Sequence, residues 1–255
     1  MRLSREKQKY IRSLHQKKYR QKYNKFLAEG DKIVEELLDQ SRFRPELLVA
    51  LPDWADPQLL AGRVDPHRLY LVDEPMLQQL SCLVSPNKVL AVVEAPVMDP
   101  PWGALQEDLL LYLDGIRDPG NLGTMLRIAD WFGLPWVFCS PDSVEVYNPK
   151  VVQASMGAFL RVGVSAMPIR EVVDHLPAMP VLGASTDGVD LYAADLPSSA
   201  ILVVGNESRG LRAEALAALT GKVAIPRHRK GGAESLNAAV ATGILCAQLR
   251  RGYMS

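Results

Sequence analysis

Two hydrophobic patterns alternate along this chain: short continuous aliphatic runs, and apolar positions spaced three or four residues apart. Continuous runs predict buried strands, whereas the wider spacing predicts helices. In the first part of the chain, a helical pattern over residues 33–38 follows a short strand over residues 26–28. The remaining elements predicted here are strands at 47–51, 69–72 and 89–93, and helices around 57–61 and 75–80. Their order predicts a small α/β domain over residues 26–96.

A second alternation occupies residues 109–255, after a segment (97–108) whose Pro100, Pro101 and Gly103 predict a linker. Its predicted strands cover residues 109–113, 136–139, 162–165, 181–184, 201–204 and 222–225. Its predicted helices cover residues 122–131, 149–159, 169–176, 212–219 and 235–251. The continuous aliphatic strands are typical of a parallel sheet covered on both faces. The sequence therefore predicts an α/β protein with a mostly parallel C-terminal sheet and helices on both of its faces.

Three predicted strand ends are rich in Gly, Asn and charged residues: residues 113–127, 203–211 and 225–241. Ligands of an open parallel sheet bind beyond the carboxyl ends of its strands. None of the three segments has the spacing of a dinucleotide fingerprint or a phosphate-binding loop, so NAD and ATP lack support.

The residue types alone also allow purely structural roles for these polar side chains. Ser235 could simply cap its helix, and Glu207 could pair with Arg209 on the surface. Arg127 could pair with Asp114 or Asp118. Each of these arrangements would need no ligand.

Composition fits a globular protein of 255 residues, with 48% hydrophobic and 23% charged residues. The chain has no run of eighteen apolar residues, so we expect no membrane span. Three widely separated cysteines and four histidines show no metal-ligand spacing, so no metal is expected. The odd number of cysteines points to a reducing cytoplasm, with all three as small buried side chains.

Charge is unevenly distributed although the net charge is zero. Residues 1–32 contain eleven basic and three acidic side chains, a net charge of +8 that the rest of the chain balances. This predicts a basic RNA-contacting arm over residues 1–25, with Arg12, Lys17, Lys18, Arg20 and Lys22 as candidate RNA contacts. The interleaved aromatic side chains, which could stack on unpaired bases, are Tyr10, Tyr19, Tyr23 and Phe26. A solvated helix face is the alternative.

The three strand-end segments together resemble the SpoU (TrmH-like) RNA ribose 2′-O-methyltransferases of the SPOUT superfamily. Residues 114–133, 201–211 and 225–241 match that family's motifs in order and separation. The similarity is weaker at residues 12–20 and 26–30, which look like the start of the family's substrate-binding domain.

The resemblance implies a deep trefoil knot in the domain over residues 109–255, with S-adenosylmethionine bound in the knot and a homodimer formed through it. It implies a catalytic and ribose-binding group made of Asn121, Arg127, Glu207, Ser235 and Asn237. It implies cofactor contacts, mainly through the backbone, at Thr186, Gly205, Ile225 and Leu236. Under this interpretation the basic loop residues Arg227, Arg229 and Lys230 would face RNA.

The function expected from the resemblance is methyl transfer to a ribose 2′-hydroxyl of structured ribosomal or transfer RNA. Arg127 would either accept the proton or position the ribose, since a guanidinium is hard to deprotonate. Two alternatives stay open: a non-catalytic RNA-binding assembly factor with the same fold, and a base methyltransferase of the same superfamily. All five catalytic positions carry the family's residues, which favours an enzyme.

Overall fold

The computed structural model describes residues 3–55 and 62–251, which form two compact units. The first unit holds the chain up to Val97 together with Tyr147–Leu160, and the second holds Met98–Val146 and the chain from Arg161 onward. The helix predicted around residues 57–61 lies outside the described residues. The sequence placed residues 147–160 in the second domain, whereas the structure groups them with the first unit.

The first unit contains a four-stranded mixed sheet with helices packed against it. Its elements before Val97 are α1 (Arg5–Ser13), α2 (Lys17–Tyr23), β1 (Lys25–Glu29), α3 (Asp31–Leu38), β2 (Pro45–Ala50), β3 (Leu69–Leu71), α4 (Glu74–Leu80) and β4 (Val89–Glu94). The strand order is β1–β4–β2–β3. Strand β4 pairs antiparallel with β1 and β2, whereas β2 and β3 pair in parallel.

The residues predicted as a basic arm are packed as part of the first unit. Leu3, Ile11 and Leu14 are buried in the same apolar cluster as strand residues of the sheet. The Nη1 atom of Arg20 donates to the carbonyl oxygens of Leu14 and His15, at 2.8 Å each, and only 6% of Arg20 is exposed. The prediction that Arg20 contacts RNA was therefore wrong, because its guanidinium satisfies carbonyls that follow α1.

The second unit follows the alternation expected of an α/β domain. Its elements, with two helices from the segment 147–160, are α5 (Trp102–Leu105), β5 (Leu109–Asp114), α6 (Pro119–Trp131), β6 (Trp136–Cys139), α7 (Pro149–Ser155), α8 (Ala158–Arg161), β7 (Gly163–Ala166), α9 (Ile169–His175), β8 (Val181–Asp190), β9 (Ala200–Gly205), α10 (Ala213–Ala218), β10 (Gly221–Ala224) and α11 (Ala238–Leu249). The six strands have the order β10–β8–β9–β5–β6–β7, and every neighbouring pair is parallel. This confirms the predicted parallel sheet.

Helices cover the sheet of the second unit on both faces, as predicted. On one face, Tyr112 and Phe138 pack with Val172 of α9 and Ala215 of α10. Helices α6 and α11 pack against each other and contact β6 and β9. The segment predicted as a linker also packs here, because Trp102 stacks on Phe138 with 5.4 Å between ring centroids. The trefoil knot implied by the resemblance stays a prediction.

Several helix boundaries differ from the predictions, and α6, for example, begins at Pro119 rather than at residue 122. The helix expected over residues 149–159 is interrupted at Met156 and Gly157, which both have positive φ angles, so α7 and α8 are separate. The last helix begins at Ala238 rather than at Ser235. No helix in the described part of the chain has the length and apolar character needed to cross a membrane.

Phe26 does not belong to an RNA-facing aromatic surface. It is fully buried in the first unit and stacks on Tyr147 with 4.4 Å between ring centroids. Phe43 and Phe159 meet the same ring edge to face. The prediction that Phe26 could stack on unpaired bases was wrong, because this ring joins β1 to the segment containing α7 and α8.

Candidate active site

The candidate site of the second unit lies at the carboxyl ends of the neighbouring strands β5 and β9. Asp114 and Gly205, the last residues of the two strands, are paired with each other across the sheet. Asp118 begins α6 as its N-cap, and its Oδ1 accepts a hydrogen bond from the backbone N–H of Asn121 at 2.8 Å. The first turn of α6 therefore holds Asn121 beside the loop that follows β9.

A chain of side-chain hydrogen bonds joins the three strand-end segments. Asn121 Nδ2 donates to Glu207 Oε1, and Asn237 Nδ2 donates to Asn121 Oδ1 at 2.9 Å. An amide can donate and accept at the same time, so Asn121 connects a carboxylate to a second amide. The structure thus brings together three of the five residues that the resemblance implied. Glu207 hydrogen-bonds to Asn121, whereas the alternative was that Glu207 pairs with Arg209.

Asn237 also forms the start of α11. Its Oδ1 accepts hydrogen bonds from the backbone N–H groups of Ala239 and Val240, at 2.9 and 3.2 Å. Asn237 is therefore the N-cap, and the expectation that Ser235 caps this helix was wrong. Ser235 lies two residues earlier in an exposed segment and remains available to a ligand.

Arg127 lies outside this hydrogen-bonded chain. It is exposed on α6, and its predicted structural partners are engaged elsewhere, since Asp118 caps α6 and Asp114 pairs with Arg212. The pairing of Arg127 with Asp114 or Asp118 is therefore not observed. Thr124 and Trp131 are exposed at helical spacing on either side of Arg127.

An ion-pair network fixes the base of the site, and the sequence did not reveal it. Arg212 Nε donates to Asp114 Oδ1 at 2.7 Å, and Arg212 Nη1 donates to Asp142 Oδ1 at 2.8 Å. Ser140 Oγ donates to Asp142 Oδ1 at 2.9 Å and accepts from the backbone N–H of Gly115 at 2.8 Å. The network connects the residues that follow β5, β6 and β9.

The charges of this network shift the pKa values of its members. Partial burial alone would raise the pKa of Asp142, but the Ser140 hydrogen bond and the positive charge of Arg212 outweigh it and hold that pKa below its ordinary value. Hydrogen bonding to Asp114 raises the pKa of Arg212. One signal in the sequence could have suggested the network: Asp114 is a charged residue directly after a buried strand, where it needs a partner.

The loop after β9 is folded tightly on itself. A Cβ atom at Gly205 would lie 2.5 Å from the carbonyl carbon of Gly210, so only glycine fits there. Asn206 Oδ1 accepts hydrogen bonds from the backbone N–H groups of Ser208 and Arg209, at 3.0 and 3.3 Å. The close approach at Gly205 is thus made by the chain's own backbone, and the same loop presents Glu207.

Three of the four predicted cofactor residues lie in or just beyond the adjacent strands β10, β8 and β9. Ile225 lies one residue beyond the last paired residue of β10, and Gly205 ends β9. Thr186 lies in an excursion of β8, because residues 183 and 189 pair with consecutive residues of β10. Leu236 is 45% exposed beside Asn237. Backbone groups beyond the strand ladders and an exposed apolar side chain suit a nucleoside-containing cofactor.

The predicted RNA contacts divide between the two units. In the second unit, Arg227, Arg229 and Lys230 lie in an exposed loop, where Arg227 Nη1 donates to the carbonyl oxygen of Ala233 at 3.0 Å. In the first unit, four predicted basic residues are exposed on α1 and α2: Arg12, Lys17, Lys18 and Lys22. Over residues 3–55 and 62–251, no group of three or more His, Cys, Asp or Glu side chains is arranged to hold a metal ion.

Two family models match the chain. The model of the SpoU rRNA Methylase family matches residues 108–247, and the model of the MRM3-like substrate binding domain matches residues 5–91. A 23S rRNA (guanosine(2553)-2′-O)-methyltransferase, RlmP from Bacillus subtilis, is 32% identical over 261 aligned residues that cover 96% of each chain.

Solved structures are similar over the whole chain. A putative RNA methyltransferase of the TrmH family from Porphyromonas gingivalis has a TM-score of 0.86 and 38% identity, covering 99% of this chain and 100% of that one. An AdoMet-bound rRNA methyltransferase from Sinorhizobium meliloti has a TM-score of 0.86 and 29% identity, covering 97% and 95% of the two chains.

Proposed function

The chain belongs to the SpoU rRNA methylase family, and on that premise we propose that it transfers a methyl group from S-adenosylmethionine to a ribose 2′-hydroxyl of ribosomal RNA. The observation that carries the proposal is the hydrogen-bonded chain Glu207–Asn121–Asn237, which joins the three matching segments at one sheet edge. Relatives named 23S rRNA 2′-O-methyltransferases support the choice of ribosomal RNA.

The chemistry requires orientation and proton removal, because a ribose hydroxyl is a poor nucleophile at neutral pH. S-adenosylmethionine, when bound, supplies an electrophilic methyl group. The backbone at Gly205 and Ile225, at the ends of β9 and β10, would hold this cofactor together with Thr186 in the excursion of β8 and the Leu236 side chain. Asn121, which is half-buried, and Asn237, which is exposed, would orient a ribose beside it.

Arg127 has the freedom that a substrate-binding role requires. Arg127 is exposed about 1.7 helical turns along α6 from Asn121, and its guanidinium would contact the 2′-oxygen or an adjacent phosphate. A cation there stabilises negative charge that develops on the oxygen as the proton leaves. Ser235, which is exposed two residues before Asn237, would be a further ribose contact.

The test is incubation of the protein with radiolabelled S-adenosylmethionine and ribosomal RNA from a strain lacking it, followed by nucleoside mapping. Ribose-methylated nucleosides are expected, and Arg127→Ala should lose turnover while Arg170→Ala, an exposed arginine on α9, should not. Methyl groups found only on bases would replace the proposal with base methylation. Absence of both transfer and cofactor binding would favour a non-catalytic RNA-binding factor.

We further propose that two copies associate through the surface formed by α6 and α11. Trp131 at the end of α6 is 80% exposed, and Val240 on α11 is also exposed, although the two helices pack on each other. Large exposed aromatic residues are typical anchors of protein interfaces. Light scattering should report a dimer that Trp131→Glu weakens and that Val84→Glu, which alters an exposed valine of the first unit, leaves intact. A monomeric wild-type protein would refute this assembly.

A further inference from the structure

A pocket of about 290 Å³ lies in the first unit where β1 and β2 begin and β4 ends. It is lined by Asn24, Ser41, Arg42, Arg44, Glu94 and residues 95–97. None of the basic residues predicted to contact RNA lines this pocket, and none of the three strand-end motif segments reaches it.

The wall of the pocket is held by reciprocal hydrogen bonds. Asn24 Nδ2 donates to the carbonyl oxygen of Ala95 at 2.9 Å, and the backbone N–H of Ala95 donates to the carbonyl oxygen of Asn24 at 3.0 Å. Asn24 has a left-handed backbone conformation, with φ of 51°, which turns the chain from α2 into β1. The pocket is therefore built by the backbone before any ligand arrives.

The charge balance of the pocket favours an anion. Its carboxylate, Glu94, is paired with Lys25 Nζ at 3.4 Å, and the same Nζ is 3.5 Å from Glu46. Arg42 and Arg44 are exposed and form no ion pair with the described residues. The lining residues Arg42, Arg44 and Ser41 carry two guanidinium groups and a hydroxyl, a donor set that suits a phosphate group.

Two stacked tyrosines lie in the helix that ends next to this pocket in the sequence. The rings of Tyr19 and Tyr23 are stacked with 6.2 Å between centroids, and Tyr23 immediately precedes Asn24. Lys18 Nζ lies 4.7 Å from the centroid of Tyr19, and Lys22 Nζ lies 5.3 Å from that of Tyr23. Aromatic rings beside cations are the platform on which unpaired bases stack.

We propose that this pocket holds a backbone phosphate of a single-stranded segment of the RNA substrate, with an adjacent base on the Tyr19–Tyr23 surface. The inference rests on the proposed function, because it assigns a subsite for the same RNA. Arg42 and Arg44 bind the phosphate, and Ser41 donates to it. The two tyrosines supply a contact that does not depend on charge.

The experiment measures binding of a fluorescein-labelled oligouridylate and methylation of 23S rRNA over a range of salt concentrations. The double variant Arg42→Gln/Arg44→Gln is compared with Arg170→Gln/Arg251→Gln, which removes two exposed charges outside the pocket and outside the residues predicted to contact RNA. Loss of one phosphate contact should raise Kd about tenfold. It should also make the plot of log association constant against log salt concentration less steep, by about 0.7 in the slope. Turnover with saturating 23S rRNA should stay at the wild-type value while KM rises.

A second variant separates stacking from charge. Tyr19→Leu/Tyr23→Leu should weaken oligouridylate binding while leaving the salt slope unchanged, since stacking involves no counterion release. A wild-type salt slope in Arg42→Gln/Arg44→Gln, or equal slopes in this variant and its control, would overturn the phosphate assignment. If the wild-type protein methylates no RNA but the pocket variant still loses its slope, the proposed activity fails while the subsite stands.

Discussion

Arg212→Met tests whether the Arg212–Asp114–Asp142 network stabilises the base of the site. The substitution keeps the aliphatic stem but removes the guanidinium, which bonds to both carboxylates. Asp114 would keep one partner, the backbone N–H of residue 212 at 2.8 Å. Because only 2% of the Asp114 side chain is exposed, the substitution leaves a buried carboxylate without its counter-charge.

The magnitude follows from the burial of the two partners. Removing one partner of a fully buried ion pair costs about 3–5 kcal/mol. The Arg212 side chain is 44% exposed and partly screened by water, so we expect a lower cost of about 2–3 kcal/mol. For a chain of this size each kcal/mol lowers the Tm by about 2–4 °C, which gives a decrease of roughly 4–12 °C.

Urea unfolding followed by tryptophan fluorescence measures this loss. Trp102, Trp131 and Trp136 are in the second unit, so the signal of three of the four tryptophans reports the unit containing the network. Arg212→Lys should lose about 1 kcal/mol, since an ammonium keeps the charge but not the bidentate geometry. Adding Asp114→Asn to Arg212→Met should restore part of the loss by removing the buried charge. A loss below about 0.5 kcal/mol in Arg212→Met, or strict additivity in the double variant, would refute the reasoning.

The pH dependence provides an independent measurement. The pKa of Asp142 in the folded protein lies below its ordinary value. The contribution of the Asp142 carboxylate to stability is therefore fully present above the unfolded pKa of about 3.9 and is lost as the pH falls through the folded pKa. The stability difference between the wild-type protein and Arg212→Met should therefore shrink below about pH 4. A difference that grows on acidification would contradict the pairing.

Three further predictions concern single positions. Asn237→Ala should lower turnover roughly ten- to a hundredfold and the free energy of unfolding by about 1 kcal/mol. The control Asn148→Ala removes an asparagine N-cap from α7, so urea unfolding should show a similar loss of stability while kinetic assays show unchanged turnover. Gly205→Ala should lower the free energy of unfolding by about 1–3 kcal/mol, because its Cβ would be forced against Gly210. A Cβ at Gly103 meets no neighbour, so an equal Tm for Gly205→Ala and Gly103→Ala in thermal unfolding would contradict this prediction. Burial raises the pKa of the Cys139 and Cys246 thiols to about 12, so a thiol-exchange reagent at pH 8 should label these two only after unfolding, and their rapid labelling in the native protein would contradict this burial. Cys82 is half-buried, contrary to the prediction that all three cysteines are buried, so it should be the first of the three to react.

Local sequence patterns predicted most of the fold because they depend on residues close together in the chain. Continuous aliphatic runs marked most strands of the parallel sheet, since strands covered on both faces favour apolar side chains, whereas β7 and β10 include Ser165 and Lys222. Helix ends were less accurate. Both Ser235 and Asn237 are residue types that cap helices well, so the sequence did not distinguish between them. In the structure Asn237 is the N-cap, and its side chain also donates to Asn121.

The sequence by itself determined the two α/β patterns, the excess of basic residues near the N-terminus and the three motif segments that resemble one enzyme family. Only the tertiary structure decided which side chains meet. Glu207 and Asn237 reach Asn121 across 86 and 116 residues of sequence, and Arg212 reaches Asp114 across 98. The same holds for Arg20, whose charge suggested RNA but whose guanidinium is buried on carbonyl oxygens. A side chain's type limits which partners it can bind, but the fold determines which of those partners lies within hydrogen-bond distance.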